Sequence, residues 1–144
     1  MSAQDNVTLA RTLIESYNTQ DIEQYAAVAT EDCEVLDVPS GMVSHGREAL
    51  KQFAQVFITA FPDGKLELTN IFATDDQAAF EFVARGTHTG PLVSPSGQIP
   101  PTGRDVELRF CNIVQVRNGK VASQHTYYDA LGLLQQLGLI PPQG

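Results

Sequence analysis

Tryptophan is absent from the 144 residues, so any flat apolar surface must come from the seven phenylalanines and four tyrosines. Cysteine is scarce too. Cys33 and Cys111 lie in strand-like stretches with no metal-ligand or redox spacing, which speaks against a disulfide-held scaffold and predicts reduced core thiols. Nine Lys plus Arg stand against seventeen Asp plus Glu, a formal net charge of -8, and with no basic patch nucleic acid is not an expected partner. No apolar run approaches the ~20 residues a membrane-spanning helix needs, so no membrane partner is expected. Met1-Ser2-Ala3-Gln4-Asp5-Asn6 lacks the basic start and apolar centre of a secretory signal, and a soluble, cytoplasmic protein is the expectation. His45, His88 and His125 are too scattered to suggest a metal site, and no cofactor is expected.

What is present reads as one domain with one core, 42% hydrophobic and 18% charged. Val7, Ala10, Leu13, Ile14 and Tyr17 recur at spacings of three and four, the stripe of an amphipathic helix. Asp21 can cap a second short helix running to Ala29. Cys33 to Val38 reads as a short strand stopped by Pro39-Ser40-Gly41, with a loop after it. Gly46-Arg47-Glu48 opens the most regular helix, carrying Leu50, Phe53, Ala54, Phe57, Ile58 and Phe61, and Pro62-Asp63-Gly64 ends it. Strands follow from Lys65 to Phe72 and Ala78 to Thr87, turning at Asp75-Asp76. Gly90 to Gly103 holds four prolines and three glycines and predicts a long loop.

Arg104 to Arg117 and Val121 to Tyr128 flank Asn118-Gly119, a strong hairpin signal. Asp129 then begins a closing helix with an apolar face from Leu131, Leu133, Leu134 and Leu137, ended by Gly138 with Pro141-Pro142 beyond. Helices first and a mostly antiparallel sheet afterwards is an α+β order. In the last strand a period of two, uninterrupted by a bulge, places His125, Tyr127 and Asp129 on one face.

Several segments carry a family resemblance: Phe61-Pro62-Asp63, Gly86-Thr87-His88-Thr89-Gly90, Pro101-Thr102-Gly103-Arg104, and above all Tyr128-Asp129-Ala130-Leu131-Gly132-Leu133-Leu134-Gln135-Gln136-Leu137-Gly138. Together they resemble the SnoaL-like polyketide cyclases of the nuclear transport factor 2-like superfamily, over nearly the whole chain. The resemblance implies a cone-shaped α+β domain in which helices pack on a strongly curved sheet around a cavity. It also implies a cofactor-free intramolecular aldol ring closure, or a related enolate isomerisation, with an aspartate at the end of the last strand as acid and base. Asp129 occupies that position. The tryptophans that accompany this aspartate in the family are missing here, where Thr126, Tyr127 and Tyr128 stand instead, so a differently shaped pocket is implied.

Asp129 has two competing readings: an N-cap for the helix it precedes, or a base whose pKa rises in an apolar cavity. His125 is its natural companion through a hydrogen bond to carboxylate or substrate. His88, beside the Pro-rich segment, and His45, on the opposite rim, are candidates for the cavity mouth. Arg109, mid-strand among apolar residues, points to solvent or, if buried, steadies an enolate or holds a substrate carboxylate. Phe57 and Tyr127 are candidates for contact with a small apolar or aromatic carbonyl substrate. Two alternatives stay open: epoxide-hydrolase-like water activation, for which Arg109 is the relevant feature, and a non-catalytic ligand-binding or dimerisation domain. The apolar C-terminal segment predicts a homodimer or homotetramer formed through the open sheet face.

Overall fold

The computed structural model describes residues 2–94 and 97–141. Helix α1 (Ala3–Asn18) begins four residues before its apolar stripe, because Ser2 and Asp5 form a reciprocal capping box. Its far end is clamped to the sheet where Asn18 accepts from the Leu66 N–H at 2.7 Å and donates to the Leu66 carbonyl at 2.9 Å. Asp21 caps α2 (Ile22–Ala27) as expected, its carboxylate accepting from Gln24 N–H. The helix stops short of Ala29, which already belongs to β1 (Ala29–Asp37).

The loop expected after Pro39-Ser40-Gly41 contains an edge strand, β2 (Met42–His45), antiparallel to β1. Helix α3 (Arg47–Ala60) buries Leu50, Ala54 and Ile58. β3 (Lys65–Ala73) and β4 (Gln77–Thr87) form the expected hairpin. The Pro-rich stretch is not wholly a loop: β5 (Leu92–Ser94) and β6 (Gly97–Ile99) make a miniature hairpin. Pro91 and Pro100 flank it without taking ladder positions, while Pro95 and Ser96 lie outside the described residues. Gly90 docks this segment on α3, donating to the Ala60 carbonyl at 3.1 Å. A Cβ at Gly90 would sit 1.9 Å from the Thr59 carbonyl oxygen, so only glycine permits the approach.

β7 (Asp105–Arg117) and β8 (Lys120–Tyr128) turn at Asn118 and Gly119, both at positive φ, as a primed two-residue turn requires. Helix α4 (Ala130–Gln136) closes the described fold. It buries Leu133 and Leu137 but leaves Leu131 exposed, and Gln136 fixes it to β7 by paired hydrogen bonds with the Glu107 backbone at 2.8 and 2.9 Å. Pro142 lies outside the described residues.

The six-stranded sheet runs β2-β1-β8-β7-β4-β3, antiparallel except where β1 meets β8. It curves over α1 and α3, and the core between them is one apolar cluster centred on residues such as Leu13, Leu50, Phe80 and Val114. Cys33 is buried there, whereas Cys111 lies half-buried on the other face; both are free thiols. Ala122 has no partner on β7: Gln115 pairs with Ser123 and Val116 with Val121, a bulge that shifts the strand by one residue. Val121 faces inward before the bulge, and Gln124 and Thr126 face inward after it. No helix among the described residues is long and apolar enough to cross a membrane.

Candidate active site

The inner face of the sheet and the helices enclose a cavity of about 70 Å³. Leu13, Ile14 and Tyr17 of α1, Phe53 and Phe57 of α3, and Phe80, Phe82 and Phe110 of the sheet make its apolar walls. The aromatic rings interlock. Phe110 stacks on Phe82 and Tyr128 at 5.2 and 4.9 Å between centroids, and Phe57 meets Phe110 and Tyr128 edge-on at 5.8 and 5.9 Å.

At one end the cavity is bounded by Asn112, Thr126 and Tyr25, which are 5%, 1% and 6% exposed, so this end is closed. At the other end Lys65, Arg85, Gly86 and Val106 also line an open groove with Asp63, Asp105 and Glu107, which marks the mouth. The cationic heads there are engaged: Lys65 donates to the Asn18 carbonyl, and Arg85 pairs with Glu67 and Glu107.

Polar side chains on the inner face form a register across three strands. Asp37 of β1 pairs with Thr126 of β8, and Thr126 with Asn112 of β7. Asp37 Oδ1, Thr126 Oγ1 and Asn112 Oδ1 are each buried without a hydrogen-bond partner among the described residues. The second Asp37 oxygen accepts from Ser40 Oγ. Burial, together with the neighbouring Asp37 carboxylate, pushes the Tyr128 phenol well above its usual range. One row deeper, Gln124 Nε2 donates to the Tyr25 hydroxyl at 3.2 Å and its Oε1 has no partner among the described residues. Burial also raises the phenols of Tyr25 and Tyr17, so both remain neutral donors at ordinary pH.

Of the residues singled out from sequence, Phe57 lines the cavity and the others do not. His125 and Tyr127 share a face as expected, but it is the outer one, because the bulge at Ala122 reverses which residues of β8 point inward. His125 Nε2 instead contacts Glu34 at 2.7 Å. Asp129 is exposed and its carboxylate accepts from Gly132 N–H at 2.8 Å, the N-cap arrangement. Arg109 is exposed on the outer face, so the water-activation alternative loses the feature that motivated it. His45, at the end of β2, is exposed.

His88 is fully buried rather than at the mouth. Its Nδ1 accepts from Thr102 N–H at 3.1 Å while its backbone bonds Arg104 and Gly103, pinning the Pro-rich segment. Burial lowers its pKa, only partly offset by the Gly90 backbone.

The sequence reading named Thr126 and Tyr128 only as replacements for the family's tryptophans, and it missed Asp37 and Asn112. A signal existed for Asn112, the one polar residue among Val106, Leu108, Phe110 and Val114 in the inward phase of β7. No group of side chains suited to holding a metal ion occurs among the described residues.

Helices cradled by a curved sheet around an apolar cavity are shared with known proteins. The profile of SnoaL-like polyketide cyclases matches residues 7–137, and the chain belongs to that family. No curated protein sequence matches. Among solved structures, wild-type IdmH from Streptomyces antibioticus, a candidate polyketide cyclase, is 32% identical with a TM-score of 0.74, over 94% of this chain and 99% of that one. A candidate SnoaL-like polyketide cyclase from Jannaschia sp. CCS1 has a TM-score of 0.85 at 20% identity, over 97% and 95% of the two chains. A protein of ketosteroid isomerase-like fold from Catenulispora acidiphila DSM 44928, in complex with trimethylamine, has a TM-score of 0.74 at 16% identity, over 91% and 92%. The fold is therefore the α+β nuclear transport factor 2-like one, and the family supports a cyclase type of role.

Proposed function

We propose that the protein closes a ring in a small carbonyl compound, or moves its double bond, through an enolate formed in the apolar cavity, with Asp37 as the base. The observation that supports this is the Asp37–Thr126–Asn112 row, in register across three strands, whose oxygens are buried and unpartnered among the described residues and of which Thr126 and Asn112 line the cavity. Asp37 Oδ1 takes a proton from a carbon between two carbonyl groups. The resulting enolate carbon attacks a second carbonyl carbon of the same molecule, forming the C–C bond, and the oxygen so created receives the proton back. No net oxidation occurs. Tyr128, held neutral by burial and by Asp37, donates a hydrogen bond to the developing oxyanion. A substrate flanked by two carbonyls is acidic enough that a carboxylate in this setting suffices. Asp129, engaged at its helix cap, is assigned no proton transfer.

The test is hydrogen–deuterium exchange at the central carbon of 1-phenyl-1,3-butanedione, followed by proton NMR. Wild-type protein should accelerate exchange, Asp37→Asn should lose roughly 10²–10⁴-fold of that acceleration, and Asp129→Asn should keep it. Exchange at the wild-type rate in Asp37→Asn would remove Asp37 from the reaction. The capped state of Asp129 favours a second reading, a ligand-binding domain without catalysis; wild-type exchange no faster than buffer, with the diketone bound, would select it.

A further inference from the structure

The closed end of the cavity presents chemistry that the enolate step does not use. Asn112 and Thr126 face each other across the β7–β8 pair, 5% and 1% exposed, and both line the cavity. Each holds an oxygen without a partner among the described residues. Unpaired buried oxygens are costly, so a group that donates to them is favoured there. Tyr25, which accepts from Gln124, turns a neutral phenol to the same space. Among the described residues no cationic side chain lines this end; the cations Lys65 and Arg85 stand at the mouth.

We propose that this end is a hydroxyl subsite, in which Asn112 and Thr126 hold a phenolic or enolic hydroxyl of the substrate. This rests on the cavity being the substrate site and adds what the substrate carries. A hydroxyl donates to Asn112 Oδ1 and accepts from the Thr126 or Tyr25 hydroxyl. An ether or ketone oxygen accepts only: it can accept from the Thr126 or Tyr25 hydroxyl but leaves Asn112 Oδ1 unpaired. A carboxylate finds no counter-charge and meets phenols that burial keeps neutral. The substrate is thus an apolar ring compound whose hydroxyl lies only one or two strands away from the carbonyls at Asp37.

Calorimetric titration of the whole protein with 2-naphthol, 2-methoxynaphthalene and naphthalene tests this. Wild-type protein should bind 2-naphthol about tenfold or more tightly than either analogue, the equivalent of one satisfied hydrogen bond. Thr126→Val and Asn112→Leu should each collapse that ratio towards one. Both should also raise the melting temperature of the free protein by deleting an unpaired polar atom, whereas a merely structural pair would lose stability. Equal affinity for the three probes, no binding of 2-naphthol, or an undiminished ratio in two folded variants would each overturn the subsite. If neither variant folds, the wild-type ratio alone decides. The outcome is read by binding, and so fails separately from the exchange test on Asp37.

Discussion

His125 Nε2 and Glu34 Oε1 lie 2.7 Å apart on the face of the sheet turned away from the cavity, while Thr126, the next residue along β8, faces into it. Both partners are substantially exposed, at 31% and 41% of their side-chain surface. Such a pair contributes at most about 1 kcal/mol. His125→Ala should therefore change stability slightly and leave diketone exchange within about twofold of wild type. A large loss of exchange with unchanged melting would return His125 to the site.

Asp129 should behave as a cap. Asp129→Ala should destabilise by about 1 kcal/mol, while Asp129→Asn, itself a good cap, should cost only a few tenths. Denaturant unfolding of the two variants makes the comparison. Equal losses would mean that the carboxylate charge, not the bond to Gly132, matters there.

His88 should make the protein acid-sensitive. Burial places its folded pKa below the ordinary 6.5, so the unfolded chain binds the proton first as pH falls. The state that binds more protons gains at low pH; stability therefore rises with pH through the window just below 6.5 and drops on acidification. The Asp63 carboxyl, lowered by the Thr87 N–H, acts in a separate window below its ordinary 3.8. Thermal melts at about pH 7 and about pH 5 should show a shallower pH slope for His88→Gln than for wild type. Parallel slopes would assign the acid sensitivity elsewhere.

The outer face carries an apolar strip that crosses the whole sheet in register: Phe72, Ala79, Ile113, His125, Leu36 and Val43. Phe72 is 70% exposed, Val43 52% and nearby Tyr127 41%. A strip of this kind predicts self-association through the sheet, as a homodimer or homotetramer. Sedimentation should give a multiple of 15.7 kDa, and Phe72→Glu should shift it towards that value. A wild-type mass of 15.7 kDa would end the idea.

Much of the fold was legible because its signals are local. The apolar stripe of α3, the Asn118-Gly119 turn and the Asp21 cap each fix an element with a few neighbouring residues. The β2 edge strand and the β5–β6 hairpin were not, since both are short and held by pairing across a turn more than by composition. The site was legible only in part. Phe57 followed from helical spacing, and Asn112 was readable as a polar break in an apolar phase. Which face of β8 points inward was not, because Ala122 is an ordinary residue whose extra place in the strand shows only against its partner on β7.

That single alanine is taken up by the bulge and not by the pocket. Because Val116 pairs with Val121 and Gln115 with Ser123, deleting Ala122 would close the bulge and leave Gln124 and Thr126 facing the cavity, with His125 and Tyr127 still outside. Two relatives that differ by one residue at this point can therefore share one pocket, and a site traced by counting twos through the bulge would be drawn on the wrong side of the sheet.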